Sequence, residues 1–127
     1  MSIQVKISRK PLDYNETIKK LDKRVNDVIN KKKPELLWIL EHKSTYTAGT
    51  SYKSNEILSK KIHVIKTSRG GRVTYHGPGQ RIVYFVLDLN NKKKDIRKFI
   101  IKIEKCIIET LKEYKIKSFN DRENIGI

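Results

Sequence analysis

The first third of the chain alternates hydrophobic and polar positions in a pattern that predicts strand, helix, strand. Ile3, Val5 and Ile7 alternate with polar residues, which is typical of a half-buried strand. Residues 13–31 carry apolar side chains three or four positions apart, as in a helix with one buried face. That face comprises Tyr14, Ile18, Leu21, Val25, Val28 and Ile29. The continuous apolar run 35–41 is too short for a surface helix and predicts a buried strand.

The pattern in the rest of the chain predicts further strands and a second helix. Residues 42–52 are small and polar, which indicates a loop, whereas 63–67 and 81–89 are apolar enough for strands. Helical spacing returns over 95–114, and 116–119 are expected to form another strand. This order favours an α/β or α+β fold, with helices packed on a mixed sheet. A chain of 127 residues is expected to form one domain, 1–127.

A glycine-rich segment, residues 67–80, precedes the longest predicted strand. Glycine is costly to order, so this composition indicates positive φ angles or a close approach of the backbone to another group. Its backbone N–H groups could receive a carbonyl, carboxylate or phosphate. Arg69 and Arg72 add charge, and His76 adds a group that titrates near neutrality. A tight hairpin would fit the same composition, but we favour a binding site. Neither the P-loop nor the dinucleotide-binding pattern is present.

The charge balance is strongly basic and attracts acidic partners. The net charge is +15 and the pI is about 9.9, which would suit nucleic acid, an anionic membrane or an acidic protein. Lysines are scattered, so a compositional bias explains the charge equally well. The runs Lys31–Lys33 and Lys92–Lys94 are either solvated turns or docking points. No known nucleic-acid-binding motif, signal peptide or membrane-length segment is visible, although a basic nucleic-acid-binding module remains an alternative.

The remaining chemically active side chains point to structural roles. The single cysteine, Cys106, excludes an intramolecular disulfide and fits a reducing cytosol. Its isoleucine neighbours predict a buried, unreactive thiol. Trp38 is expected in the core and His63 on the surface, while His42 would either line a pocket or make a structural hydrogen bond. No His, Cys or carboxylate pair has metal-ligand spacing.

Two segments resemble signatures of the lipoyl(octanoyl) transferases. Residues 69–80, RGGRVTYHGPGQ, resemble the long signature, and 41–49, EHKSTYTAG, resemble the segment EHxxxYTxG. Asp13-Tyr14 also resembles the family's first helix start. The resemblance implies the fold of the biotin and lipoate protein ligase catalytic domains, truncated at the C-terminus. It also implies that the substrate's acyl chain binds along Arg69, Gly70, Gly71, Arg72, Val73, Thr74, Tyr75 and His76.

The resemblance further implies octanoyl transfer from octanoyl-acyl carrier protein to a lipoyl-domain lysine. Acceptors would be 2-oxoacid dehydrogenases and the glycine cleavage H protein, in the cytoplasm, with no cofactor. The family's catalytic cysteine and lysine lie beyond the point reached by Gly126-Ile127, so no catalytic residue is expected in this chain. We therefore expect a fragment that is inactive alone. A lipoate or biotin ligase, which binds ATP, is the alternative with the same fold.

Overall fold

The computed structural model describes residues 2–92, 95–121, 123, 126 and 127. The described residues form six strands and two α-helices, in the order β1 (Ile3–Ile7), α1 (Tyr14–Ile29), β2 (Glu35–Leu40), β3 (Thr45–Ala48), β4 (Val64–Lys66), β5 (Val73–His76), β6 (Ile82–Val86) and α2 (Ile96–Glu113). Two short 3-10 turns, Ser54–Glu56 and Leu89–Lys92, complete the elements. The chain divides into two compact units, residues 1–87 and 88–127. Each unit is described by itself.

The strands of the first unit form two mixed three-stranded sheets. The first has the order β1-β2-β6, with β1 parallel and β6 antiparallel to β2. The second has the order β4-β3-β5, with β4 parallel and β5 antiparallel to β3. The β1-α1-β2 connection carries the helix that a parallel pair requires. The mixed α/β architecture predicted from the sequence is confirmed.

The core of the first unit lies between α1 and one face of the first sheet. Leu21 and Val28 of α1 pack against the alternate β2 residues Leu36, Trp38 and Leu40. Because side chains alternate across a strand, these three residues share one face. Trp38 is 2% exposed, which confirms its predicted place in the core. The core therefore fixes α1 on the sheet.

Helix α1 starts where the capping pattern predicts and ends earlier. The Asp13 side chain accepts a hydrogen bond from the Glu16 amide at 2.9 Å, as an N-cap residue does. The helix ends at Ile29, and Lys31 adopts a left-handed φ of 55°. The sequence predicted an end at about Lys31, and the helix ends two residues earlier, because this turn terminates the helical hydrogen bonds at the start of the lysine run.

The sequence pattern missed two strands and predicted one that does not form. β3 lies within the predicted loop 42–52, and β5 lies within the glycine-rich segment. Both are short and polar, and each depends on pairing with the other. Residues 116–119 follow a turn at Lys115 (φ 60°) and form no strand, because they pair with no other strand among the described residues.

Three burial predictions are wrong. The β1 residues Ile3, Val5 and Ile7 are all exposed, because β1 is an edge strand and no helix of the first unit covers their face. Within α1, Val25 and Ile29 are exposed, and the buried positions include Thr17 instead. Cys106 of α2 is also exposed, so burial does not make its thiol unreactive.

The second unit consists mainly of α2, which begins and ends with recognisable caps. Asp95 accepts a hydrogen bond from the Lys98 amide at 3.0 Å, and this bond is the main reason why the pKa of that carboxyl lies below its usual value. Tyr114 and Lys115 donate backbone hydrogen bonds to the carbonyls of the last helical turn. Among the residues with assigned positions, no helix is long and apolar enough to cross a membrane.

Candidate functional site

The pairing of β3 with β5 gathers small polar side chains on one side of the second sheet. Thr47 lies opposite Thr74 in the register, and their hydroxyl oxygens are 3.1 Å apart. Alternation along β5 places His76 on the same side, with its Nε2 atom 3.3 Å from the Thr47 hydroxyl. Tyr46 and Tyr75 point to the opposite side, where their ring centroids are 5.0 Å apart. The sheet thus separates a polar side from an aromatic one.

The guanidinium of Arg69 is anchored within this polar side. Its Nη2 atom donates to the Thr74 hydroxyl at 2.6 Å and to the Thr47 hydroxyl at 2.8 Å. The same atom reaches the Arg72 carbonyl at 3.0 Å, and Nη1 donates to the Gly70 carbonyl at 2.9 Å. Nε is buried and has no hydrogen-bond partner among the described residues. Arg69 therefore organises the glycine-rich segment and keeps one buried donor unused.

Gly49 holds the glycine-rich segment against β3. Thr50 and Ser51 donate amide hydrogen bonds to the carbonyls of Arg69 and Gly71, at 2.9 and 3.1 Å. A Cβ atom on Gly49 would collide with the Gly71 carbonyl oxygen and approach two neighbouring carbonyl oxygens to 2.6 and 2.9 Å. Gly71 itself has a φ of 90°. Both expectations for the glycines, positive φ and close backbone approach, are confirmed.

Two carboxylates attach the glycine-rich segment to its neighbours. Glu56 lies 3.3 Å from Nε of Arg72 and accepts a longer hydrogen bond, 3.4 Å, from the Val73 amide. Glu41 accepts a 2.9 Å hydrogen bond from the Gly79 amide. The positive charge of Arg72 is thus partly balanced by Glu56, whereas the guanidinium of Arg69 donates to hydroxyl and carbonyl oxygens of the described residues.

His42 is fully buried and connects Leu12, which precedes α1, with Tyr84 of β6. Its ring nitrogens lie 3.1 Å from the Leu12 carbonyl (Nδ1) and 2.9 Å from the Tyr84 hydroxyl (Nε2). A carbonyl only accepts, so Nδ1 carries the proton and Nε2 accepts from Tyr84. Burial lowers the pKa of His42, which favours this neutral form. Of the two sequence expectations, the structural hydrogen bond is the one observed.

His76 packs beside both His42 and Tyr14 and is held neutral. Its ring stacks on Tyr14 at a centroid distance of 5.8 Å and meets His42 edge-on at 5.9 Å. Burial lowers the pKa of His76, and the nearby His42 and Arg69 lower it further, whereas the Gln80 side chain acts in the opposite direction. Nδ1 is buried without a hydrogen-bond partner in the described part of the chain. At neutral pH His76 therefore presents an uncharged imidazole with one unused ring nitrogen.

Two tyrosines complete the polar cluster. Burial raises the pKa of Tyr14, and it raises the pKa of Tyr84 to about 12, so both phenols stay protonated at neutral pH. Arg69 acts against both shifts, which places its charge near both rings. We call Tyr14, His42, Arg69, His76 and Tyr84 the polar cluster.

A groove of about 740 Å³ opens beside the polar cluster. Its size falls in the range of small-molecule sites. Three members of the polar cluster line it: Tyr14, Arg69 and Tyr84. Its other apolar lining residues come from α1, β4 and β6 and are Ile18, Leu21, Val25, Ile65, Phe85 and Val86. The groove therefore combines a mainly apolar wall with a polar region that carries Arg69 and two phenols, and its lining also includes the charged residues Lys19, Asp22 and Lys66.

The sequence prediction for residues 69–76 is only partly reflected in this geometry. Arg69 lines the groove, His76 contacts it through Tyr14, and Thr74 orients Arg69. Tyr75 points away, and its hydroxyl lies 3.0 Å from that of Ser44. The assignment of these residues to substrate binding stays a prediction.

Three contributors to the site were missed by the sequence analysis. Tyr14 was read as an apolar helix position, Tyr84 as a strand residue and Thr47 as part of a loop. The pattern Asp13-Tyr14 was the one available signal for Tyr14, whereas nothing local marked Tyr84. Among the residues described, no three His, Cys, Asp or Glu side chains converge as metal ligands.

Comparison with known proteins finds relatives that match nearly the whole chain. An octanoyltransferase of Bartonella bacilliformis is 44% identical over 126 residues, which cover 98% of this chain and 52% of the relative. Octanoyltransferases of Zymomonas mobilis and Rickettsia prowazekii are 42% and 43% identical, with 99% and 91% of this chain covered, and 59% and 57% of the relatives. The chain thus spans about half the length of these relatives. The family model described as the lipoyl protein ligase A/B catalytic domain matches residues 13–127, and the chain therefore belongs to that family.

Proposed function

We propose that this chain forms the acyl-binding part of an octanoyltransferase. The whole protein would move an octanoyl group from an acyl carrier protein to the lysine of a lipoyl domain in the cytoplasm. Acceptors would be lipoyl domains of 2-oxoacid dehydrogenases and the glycine cleavage H protein. The names of the relatives support this reaction, and the chain covers about half of each relative's length. No cofactor is invoked, because a thioester donor is already activated for acyl transfer.

The groove beside the polar cluster is the observation that supports acyl binding most directly. An octanoyl chain is apolar along its length and polar at its carbonyl. The groove likewise has an apolar part, with Ile18, Val25 and Val86 in its wall, and a polar part that includes Arg69. Burial of apolar chain contributes about 0.8 kcal/mol per CH2 group. The tail would thus supply affinity, and the polar cluster would set the position of the carbonyl.

Arg69 is the proposed direct contact from the segment 69–76, and His76 is proposed to support the site from behind Tyr14, on which it stacks. Each has a buried nitrogen without a partner in the described residues, Nε of Arg69 and Nδ1 of His76. Unsatisfied buried polar atoms cost stability, and a ligand atom that pairs with them recovers that cost. Gly70 and Thr74 would act indirectly, because they hold the Arg69 guanidinium. Splitting the transfer through an enzyme thioester would give two easier steps.

Binding of a neutral thioester tests this proposal without requiring turnover. The probe is S-octanoyl-N-acetylcysteamine, compared with its butanoyl analogue by isothermal titration calorimetry. We expect the octanoyl compound to bind at least tenfold more tightly, since four additional CH2 groups at about 0.8 kcal/mol each exceed the 1.4 kcal/mol of one decade. Equal affinity for both compounds would contradict an apolar acyl groove.

Helix α1 provides a matched pair of variants for locating the groove. Val25 lines it and is 40% exposed, whereas Ile29 is 70% exposed and lies outside its lining. Val25→Asn places an amide against the acyl tail and should weaken octanoyl binding several-fold, because burial of an unpaired polar group is unfavourable. Ile29→Asn should leave affinity unchanged. If both variants weaken binding equally, the groove is not where the acyl chain lies.

A ligase activity is the alternative that the family description supports, because that family includes lipoyl protein ligases. Ligases activate a free acid with ATP, whereas transferases take an activated thioester. Adenylate formation from octanoate and ATP by the whole protein would favour the ligase. The octanoyltransferase names of the relatives favour the transferase.

A further inference from the structure

A second depression, of about 180 Å³, lies between β1, α1 and the start of β2. It uses α1 residues that do not line the acyl groove. Its charged lining consists of Lys6, Lys20, Lys23, Arg24, Lys33 and Asp27. We call this set the cationic depression. Five cations and one carboxylate around so small a volume create a strongly positive local field.

Two of these cations are held in place by the fold. The Nη1 atom of Arg24 donates to the Gln4 side-chain oxygen at 2.8 Å and to the Pro34 carbonyl at 3.2 Å. The Lys6 ammonium lies 3.9 Å from the centroid of the Trp38 ring, within cation–π range. Because these contacts join β1, α1 and β2, the positive charges are pre-organised and do not depend on flexible side chains alone.

Among the described residues, one of the five cations of the cationic depression forms an ion pair. The carboxylate of Asp27 pairs with Lys33 at 3.3 Å, which leaves Lys6, Lys20, Lys23 and Arg24 without an ion pair among the described contacts. Burial lowers the pKa of Lys6, and the neighbouring Lys20 and Arg24 lower it further. Mutual repulsion of this kind costs stability, and an anionic partner would relieve it.

We propose that the cationic depression is a docking site for an acidic segment of a partner protein. The cations come from β1, α1 and the segment that precedes β2, and the exposed lysines on α1 extend the positive surface beyond the depression. A distributed array of this kind matches several carboxylates along a chain better than one compact anion, whose oxygens require converging donors. Charge complementarity of this type accelerates association and orients the partner. The inference rests on the proposed function in one respect: a carrier domain would be the partner that delivers the acyl group.

Trp38 supplies a local probe for this docking site. It is the only tryptophan in the chain and lies directly beneath Lys6. The experiment titrates a twelve-residue polyglutamate peptide into the full chain at physiological salt, where screening acts over about 8 Å. Tryptophan emission and isothermal titration calorimetry are recorded together. We expect saturable binding with a matching change in Trp38 emission.

Matched double variants separate a defined site from general attraction by a basic protein. Lys20→Gln/Lys23→Gln alters the cationic depression, and Lys60→Gln/Lys61→Gln removes the same charge at other exposed positions. We expect the first pair to weaken peptide binding about tenfold and the second less than twofold. Circular dichroism and thermal melting confirm that both variants are folded.

Every other outcome overturns the docking proposal. Equal weakening by both pairs would show diffuse attraction, and no weakening by either would show that the peptide binds elsewhere. In a competition experiment at constant ionic strength, inorganic phosphate is added to the same concentration of negative charge as the peptide. Displacement of the peptide by phosphate would identify a small-anion site. None of these measurements involves the acyl probe, so their failure leaves the proposed acyl groove unaffected, and the converse also holds.

Discussion

Substitution of Gly49 by alanine tests whether the packing of the glycine-rich segment on β3 holds the site together. An added Cβ would collide with the Gly71 carbonyl oxygen and lie 2.6 Å from that of Gly70 and 2.9 Å from that of Arg69. All three oxygens belong to the backbone, so no side-chain rotation relieves the contact. The segment that carries Arg69 must therefore move away from β3.

The magnitude follows from the contacts that this movement weakens. The amides of Thr50 and Ser51 donate to the Arg69 and Gly71 carbonyls, at 2.9 and 3.1 Å, and each bond contributes about 1 kcal/mol net. Overpacking adds about 1–3 kcal/mol. We expect Gly49→Ala to lower the free energy of unfolding by about 3 kcal/mol, which corresponds to a fall in Tm of about 10 °C.

Urea denaturation followed by Trp38 emission provides the assay, because Trp38 lies in the core of the same unit as Gly49. Gly70→Ala is the matched control, since a Cβ there meets no atom within 4 Å. It should leave stability unchanged or slightly raised, as the unfolded chain loses freedom. If Gly49→Ala proves as stable as Gly70→Ala, the proposed packing of the segment against β3 is refuted.

Three further outcomes are expected. First, burial lowers the pKa of His42 and His76, so the unfolded state takes up protons first as the pH falls. The free energy of unfolding should therefore decrease from pH 7 to pH 5. The control His63→Gln, at an exposed position, should show the same decrease, whereas His42→Asn should show a smaller one. A flat profile of Tm against pH for the unmodified chain would contradict this. Second, Asp13→Ala removes the cap of α1 and should cost about 1 kcal/mol in urea denaturation. An unchanged midpoint would show that the cap contributes nothing. Third, Tyr84→Phe should remove an ultraviolet titration step near pH 12, since burial raises the pKa of Tyr84 to about 12. Loss of a step near pH 10 would contradict the burial.

Several elements could be predicted from strong local signals in the sequence. Helix α1 follows from its apolar spacing and from the Asp13 cap, and β2 follows from the unbroken apolar run that includes Trp38. The long signature at residues 69–80 also identified the family, because the order and spacing of its residues can be recognised without knowledge of the fold. These signals are local, so a single stretch of chain is enough to reveal them.

Tertiary structure alone decided how the site is assembled. His42, Tyr84 and Arg69 are far apart in sequence, and only the pairing of β2 with β6 and of β3 with β5 brings them together. The hydrophobic pattern did not predict β3 and β5, because short polar strands are stabilised by pairing with another strand and carry little sequence signal of their own. Burial then reversed one inference: the pKa of His76 is lowered, so a residue that suggested charge near neutrality is instead an uncharged group in a packed cluster. Non-local packing sets such environments, and no local pattern encodes them.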